Sequence, residues 1–135
     1  MKIYIAAKYA RRFELRYLAN ALKAHGHEIT AQWLDNGEEE HDGPAGAAQM
    51  DVDDVLRADT VLFIGEPQGS KNTGGGRWFE LGLAYGAGKR CLIVVGPPGD
   101  AQHLGSAAPG HETVFTSLPL MEVFTSIEAA VQRIG

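Results

Sequence analysis

The chain has 135 residues, enough for one domain around one hydrophobic core. Hydrophobic residues make up 44% and charged residues 21% of it, which is ordinary for a soluble globular protein and unlike a disordered chain. The formal net charge of −5 argues against a nucleic-acid polymer as partner, because duplex binding needs a broad basic surface.

The single cysteine, Cys91, lies in an apolar run, so no disulfide framework is possible within one chain and a buried strand position is expected. The amino-terminal residues contain too short an apolar stretch for a signal peptide. No segment approaches the length of a membrane span. The expectation is a cytoplasmic protein without membrane contact.

The first third of the chain has the pattern strand, helix, strand. An apolar, β-branched strand is predicted at Lys2–Ala6, and a helix at residues 11–25 with Gly26 as its stop signal. A second strand is predicted at residues 28–33. The polar, acidic segment 35–46 is predicted to be a loop.

The middle third repeats this alternation. A helix is predicted at residues 47–58 and the clearest strand of the chain at residues 60–65. A glycine-rich loop at residues 66–75 then leads into a third helix at residues 76–88. Residues 90–95 (RCLIVV) are predicted to form the fourth strand.

The last third begins with a long segment rich in proline and glycine, residues 96–119. Such connections are unusual in compact domains, so this one is predicted to be functional or interfacial. A short strand follows at Met121–Phe124. Thr125 and Glu128 have the spacing of a capping box, which predicts a last helix that ends at about Arg133.

Strands that alternate with helices predict parallel βαβ units. The expected fold is one α/β domain spanning residues 1–135, with a doubly wound parallel sheet of about five strands, flavodoxin-like or Rossmann-like. Ligands of such sheets bind beyond the carboxyl ends of the strands. The segments after Ala6, after Trp33 and from Glu66 to Gly76 are therefore predicted to lie near the ligand.

Glu80 is the most informative residue, because it is the only charged side chain between Trp78 and Gly88. A carboxylate among small, aromatic and aliphatic residues is expected to be partly desolvated, which is costly without a task. It is predicted in the first turn of the third helix, where the helix dipole stabilises negative charge. The residues alone leave open a catalytic carboxylate, a surface glutamate and a helix cap.

The glycine-rich loop before this helix is the second candidate feature. Glycines there let backbone N–H groups approach an anion, so Gly74, Gly75, Gly76 and Arg77 are candidate substrate-binding residues. The spacing matches neither the GK[ST] phosphate loop nor the GxGxxG fingerprint. No metal site is predicted, because the five histidines form no HxxxH pair and Cys91 has no cysteine partner.

Three stretches together resemble the nucleoside 2-deoxyribosyltransferase family, whose superfamily includes the deoxynucleoside 5′-monophosphate N-glycosidases. These stretches are KIYIA, LRADTVLFIGEP and GGRWFELGLAYGAGKRCLIVVGP. The resemblance runs from Lys2 to about Pro97, with a weaker similarity near the carboxyl terminus. Its most specific part is a glutamate followed by Leu-Gly, small residues and Gly-Lys before a strand.

The resemblance implies a role for several residues. Glu80 falls on the nucleophile of the family, Tyr4 on the tyrosine that positions it, and Asp59 on the aspartate that helps to protonate the leaving base. Tyr9 and Trp33 are candidates for stacking on that base, with core or interface packing as the alternative.

The implied activity is transfer of a deoxyribosyl group between bases through a covalent Glu80 intermediate. Hydrolysis of nucleoside 5′-monophosphates is the alternative within the family, and a non-catalytic nucleotide sensor is the alternative outside it. Gly74 stands where the transferases carry aspartate and the hydrolases serine, and the chain lacks the asparagine that many transferases carry near the carboxyl terminus. A small-molecule nucleoside or nucleotide, no cofactor and a homo-oligomer are expected.

Overall fold

The structure, a computed structural model, describes residues 1–35, 43–66, 75–95 and 114–135. Its centre is a five-stranded, all-parallel sheet with the strand order β2-β1-β3-β4-β5. The strands are β1 at Lys2–Ala6, β2 at Glu28–Ile29, β3 at Thr60–Ile64, β4 at Arg90–Val94 and β5 at Met121–Phe124. The predicted doubly wound α/β fold is confirmed.

Four helices of the described residues surround this sheet. They are α1 at Arg12–Ala24, α2 at Gly43–Arg57, α3 at Gly76–Gly86 and α4 at Ile127–Ile134. The crossover from β1 to β2 runs in one direction along the sheet, and the crossovers from β2 to β3 and from β3 to β4 run in the other. Because such crossovers are right-handed, α1 lies on one face of the sheet, and α2 and α3 lie on the other. In agreement, α2 packs against α3, and both helices contact β1.

The core lies in the central strands, which are covered on both faces. All five residues of β3 are buried, and so are four of the five in β1 and in β4. This explains why these strands are continuous apolar runs in the sequence. Cys91 is buried in β4 as expected, and desolvation raises the pKa of its thiol to about 11.

The second strand is shorter than predicted. It ends at Ile29, and a 3₁₀ turn at Gln32–Leu34 follows within the stretch that was predicted to remain extended. Trp33 and Leu34 of this turn are buried. The turn forms because the backbone N–H of Gln32 bonds to the side chain of Asp54 and not to a neighbouring strand.

Two helix starts also differ from the prediction. Helix α2 begins at Gly43, within the predicted loop, because Pro44 fits the first turn of a helix, where its missing N–H costs nothing. Helix α4 is capped by Ser126, whose Oγ accepts a hydrogen bond from the N–H of Ala129 at 3.1 Å. The predicted cap at Thr125 is therefore wrong by one residue.

The long connection at residues 96–119 is described only from Val114 onward, where a 3₁₀ turn covers Val114–Ser117. None of the described helices combines the length and apolar composition needed to cross a membrane.

Candidate active site

The site centres on a contact between β1 and α3. The hydroxyl of Tyr4 donates a hydrogen bond to Oε2 of Glu80. Side chains alternate across a strand, so Tyr4 points to the face of the sheet that α3 covers, while Ile3 and Ile5 point to the other face. Tyr4 is fully buried and Glu80 is half-buried, so the carboxylate is held at the boundary between core and solvent.

Glu80 is the fifth residue of α3, at the start of the second turn and not in the predicted first turn. The first turn of α3 contains no acidic residue, and the surface-glutamate and capping interpretations do not fit a side chain bonded to β1. The helix dipole acts mainly on the first turn, so burial and neighbouring groups dominate the electrostatics of Glu80.

A cavity of about 470 Å³ opens between α2 and α3 beside this contact. Its volume lies within the range of about 300–1,000 Å³ that is typical of small-molecule sites. Asp51 of α2 and Glu80 of α3 supply its two carboxylates. The remaining lining residues are small or apolar, apart from one amide: Ala45, Ala48, Gln49, Val52, Gly76 and Phe79.

The pKa of Glu80 is raised to about 8. Desolvation is the largest cause, the hydrogen bond from Tyr4 works in the opposite direction, and the negative charges of Asp51 and Asp54 raise the pKa further. Burial and the adjacent Glu80 also raise the pKa of Tyr4, so the tyrosine remains a neutral donor. A carboxyl group that exchanges its proton near neutral pH in a cleft is typical of acid–base and nucleophilic sites.

Asp59 does not lie in this site. It directly precedes β3, and its Oδ2 accepts a hydrogen bond from the backbone N–H of Lys2 at 2.9 Å. It therefore lies at the amino-terminal edge of the sheet, whereas α3 begins beyond the carboxyl-terminal edge. Asp59 neither lines the cavity nor contributes to the pKa shift of Glu80, so this geometry does not support its predicted role beside the leaving base.

Asp51 is the carboxylate that the sequence interpretation missed. Neither Asp51 nor Asp54 is among the candidate site residues of the sequence analysis, yet Asp51 lines the cavity and Asp54 is fully buried. A signal was present, because Asp51, Asp54, Val55 and Ala58 follow helical spacing along the face of α2 that turns toward the sheet.

The two aromatic candidates lie together at the ends of β1 and β2. The rings of Tyr9 and Trp33 are tilted, with centroids 6.3 Å apart. Trp33 is buried and donates its Nε1–H to the carbonyl of Ile5, which is a packing role, while Tyr9 is 45% exposed. Ala6 is buried at the end of β1. None of the three lines the cavity beside Glu80.

The candidate residues of the glycine-rich loop differ in where they lie relative to the cavity. Gly76 lines the cavity, and a Cβ added at Gly75 or Gly76 would meet nothing within 4 Å, so open space adjoins the backbone there. Gly74 lies outside the described residues. Arg77 is buried, with its guanidinium 5.6–5.7 Å from the rings of Trp78 and Phe63, and does not line the cavity.

Within the described ranges, no group of three or more His, Cys, Asp or Glu residues is placed to hold a metal ion.

Two solved structures match the chain over nearly the whole length of both chains. The CMP N-glycosidase BcmB of Clostridium botulinum gives a TM-score of 0.62 at 13% identity, covering 99% of this chain and 98% of that one. A 2-deoxyribosyltransferase from Leishmania mexicana gives a TM-score of 0.74 at 20% identity, covering 98% and 95%. No protein-family model matches the chain, and no curated protein sequence matches it.

The chain has the fold of these two enzymes. The deoxyribosyltransferase fold that the sequence motifs implied is thereby confirmed over 98% of the chain, well beyond the stretch that carried the resemblance.

Proposed function

We propose that the protein cleaves the N-glycosidic bond of a deoxynucleoside and transfers the deoxyribosyl group to another base, with Glu80 as the nucleophile. The observation that carries the proposal is the Tyr4–Glu80 hydrogen bond beside the cavity, with a Glu80 pKa of about 8. The solved structures that share the fold are enzymes whose names describe N-glycosidic chemistry, which supports the same reaction class.

The first step is attack on the sugar. A carboxylate oxygen of Glu80 forms a bond to C1′ while the bond from C1′ to the base nitrogen breaks and its electron pair leaves with the base. The transition state has oxocarbenium character, so the negative carboxylate also stabilises it electrostatically. Tyr4 holds Oε2, which fixes the orientation of the carboxylate toward the cavity.

The departing base needs a proton, and Asp51 is the candidate donor. It faces the same cavity as Glu80 from the opposite helix. The reaction requires the state of this pair in which Glu80 is ionised and Asp51 carries the proton. That state contains both a nucleophile and an acid. In the second step a nitrogen of the acceptor base attacks C1′, the bond from C1′ to Glu80 breaks so that Glu80 leaves as carboxylate, and the proton of the acceptor nitrogen passes to Asp51.

The charge of the cavity favours a nucleoside over a nucleoside monophosphate. The described residues that line it include two carboxylates and no lysine or arginine. A 5′-phosphate would meet like charge there, which raises its free energy of binding. Arg77, the nearest basic residue along α3, lies against Phe63 and Trp78 instead.

The experiment compares four deoxynucleosides with their 5′-monophosphates, each with and without an acceptor base, and follows products by chromatography. A new nucleoside that forms only with acceptor supports the proposal. Free base formed from monophosphates alone, without acceptor, supports hydrolysis instead. Acid-quenched enzyme is examined by intact-mass spectrometry for a deoxyribosyl adduct, with Glu80→Gln as the control that cannot form it.

A nucleotide sensor would give a different outcome. No product would appear from any substrate, and Glu80→Gln would change ligand affinity alone, measured by calorimetry. That pair of results would refute the enzyme assignment.

A further inference from the structure

Asp54 is a charged residue in an unfavourable place. It lies in the last turn of α2, where the helix dipole disfavours negative charge, and it is fully buried. A buried carboxylate is costly unless several donors compensate it. Asp53, the preceding residue on the same helix, is exposed and gives a direct comparison.

Three donors converge on the Asp54 carboxylate. Its Oδ2 accepts the backbone N–H of Gln32 at 3.0 Å, and its Oδ1 accepts the side-chain amide of Gln32 at 2.8 Å. Nη2 of Arg57 donates to Oδ1 at 3.0 Å. Gln32 is thus held by both its backbone and its side chain, a clamp that links the 3₁₀ turn after β2 to α2.

The backbone around the clamp is tied to the same helix. The buried hydroxyl of Thr30 donates to the carbonyl of Asp54 at 2.9 Å, and Arg57 donates to the carbonyl of Thr30 at 3.3 Å. Strand β2 pairs with β1 over only two residues. Just after this pairing the backbone N–H of Thr30 still bonds to the carbonyl of Ile3 at 2.9 Å, and side-chain bonds to α2 hold the residues that follow.

The clamp is linked to the cavity beside Glu80 through helix α2, because Asp54 and Asp51 lie three residues apart on one face of that helix. Asp51 lines the cavity, and Asp54 lies one turn further from it. Both carboxylates act electrostatically on Tyr4 and Glu80, from the helix that packs against α3. A shift of α2 along the sheet would move Asp51 relative to Glu80.

We propose that Asp54 is a positioning residue, whose carboxylate clamps Gln32 and thereby holds α2 so that Asp51 faces Glu80 across the cavity. The proposal rests on the proposed function for its catalytic consequence, but the geometry of the clamp is independent of the reaction. Asp54 touches neither the cavity nor the reacting atoms, so it acts through Asp51 and Glu80.

The test replaces Asp54 with asparagine and uses Asp53→Asn as the matched control. Both variants remove one negative charge from adjacent positions of one helix, but only the first removes the clamp. The titration of Glu80 is followed by NMR of side-chain carboxyl carbons, with the signal assigned by Glu80→Gln. Values of kcat and KM are measured on the deoxynucleoside that the wild type cleaves, and folding is checked by circular dichroism.

Among the described residues, the groups that act on the charge of Glu80 are Tyr4 from β1 and Asp51 and Asp54 from α2. Loss of the Asp54 charge lowers the pKa of Glu80, and displacement of Asp51 lowers kcat by up to about 100-fold with a smaller change in KM. Asp53→Asn leaves both unchanged. A merely structural role would lower the melting temperature and leave the kcat of the folded Asp54→Asn molecules at the wild-type value.

Gln32→Ala is a second test variant. Gln32 is exposed, and the substitution removes its side-chain amide donor from Asp54 while the charge of Asp54 remains. If Asp54→Asn does not fold, a lower kcat in Gln32→Ala supports the clamp and an unchanged kcat overturns it. An unshifted Glu80 titration in folded Asp54→Asn also overturns the proposal. A wild type without activity on any substrate contradicts the proposed function, while the Glu80 titration in Gln32→Ala, which keeps the charge of Asp54, still decides whether the clamp holds Asp51 beside Glu80: a shifted pKa supports the clamp and an unchanged pKa overturns it.

Discussion

The hydroxyl of Tyr4 donates to the carboxylate of Glu80 across 76 positions of sequence. This bond ties strand β1 to the side chain that we assign as nucleophile, and it works against the desolvation of Glu80. It therefore determines both where the carboxylate points and how readily it loses its proton.

Activity should rise with pH up to the pKa of Glu80. Only the ionised carboxylate attacks C1′, and its pKa is raised to about 8. We expect kcat/KM to increase by about tenfold per pH unit below that value, as the ionised fraction of Glu80 grows. Initial rates on a deoxynucleoside between about pH 5 and about pH 9.5 measure the profile. A flat profile over this range contradicts the assignment of Glu80 as nucleophile.

Tyr4→Phe should move the rising limb of that profile to higher pH. The hydrogen bond from Tyr4 lowers the pKa of Glu80, so its loss raises that pKa further. The carboxylate also loses its fixed orientation, and we expect kcat to fall by about 100-fold. Tyr17→Phe, at a position that is 81% exposed, is the control. Equal effects of the two substitutions would exclude a specific role for Tyr4.

Glu80→Gln should stabilise the protein at alkaline pH. The pKa of Glu80 is raised from its ordinary value of 4.5 to about 8 in the folded chain, so the folded state binds more protons between these values. The stability of the wild type therefore falls as pH rises from 4.5 to 8, on the order of a few kcal/mol at most.

The measurement is urea unfolding at about pH 4.5 and about pH 9. The amide introduced by Glu80→Gln cannot ionise, so the two proteins should be similar at the acidic pH and the variant more stable at the alkaline pH. Glu128→Gln, at an exposed position in α4, controls for loss of a negative charge. A difference that is the same at both pH values would show that Glu80 ionises normally in the folded protein.

Asp51→Asn and Asp59→Asn should show which of the two aspartates donates the proton to the leaving base. Asp51 lines the cavity with Glu80, whereas Asp59 bonds the backbone of Lys2 at the other edge of the sheet. Loss of a general acid lowers kcat by about 100-fold or more. We expect this loss for Asp51→Asn on natural deoxynucleosides and a much smaller one on substrates whose base leaves easily. Asp59→Asn should change stability and leave kcat near wild type; the reverse pattern would restore Asp59 as the acid.

Much of the fold could be predicted because each central strand is a continuous apolar run. Strands β1 and β5 match their predicted bounds, and β3 and β4 each end one residue earlier than predicted. The shortened β2 could not be predicted, since the side chain of Asp54, 22 positions away from Gln32, ends it. The start of α2 was missed because glycine and proline usually indicate loops, although Pro44 suits a first helical turn.

The sequence by itself determined the α/β alternation and the singular position of Glu80, because apolar periodicity and an isolated charge are local properties of the chain. Only the tertiary structure decided which carboxylate accompanies Glu80. Asp51 and Asp59 lie on one short stretch of sequence, at the middle of α2 and just beyond its end. Because α2 runs back along the sheet from the carboxyl-terminal edge to the amino-terminal edge, it carries Asp51 to the cavity and leaves Asp59 at the far side.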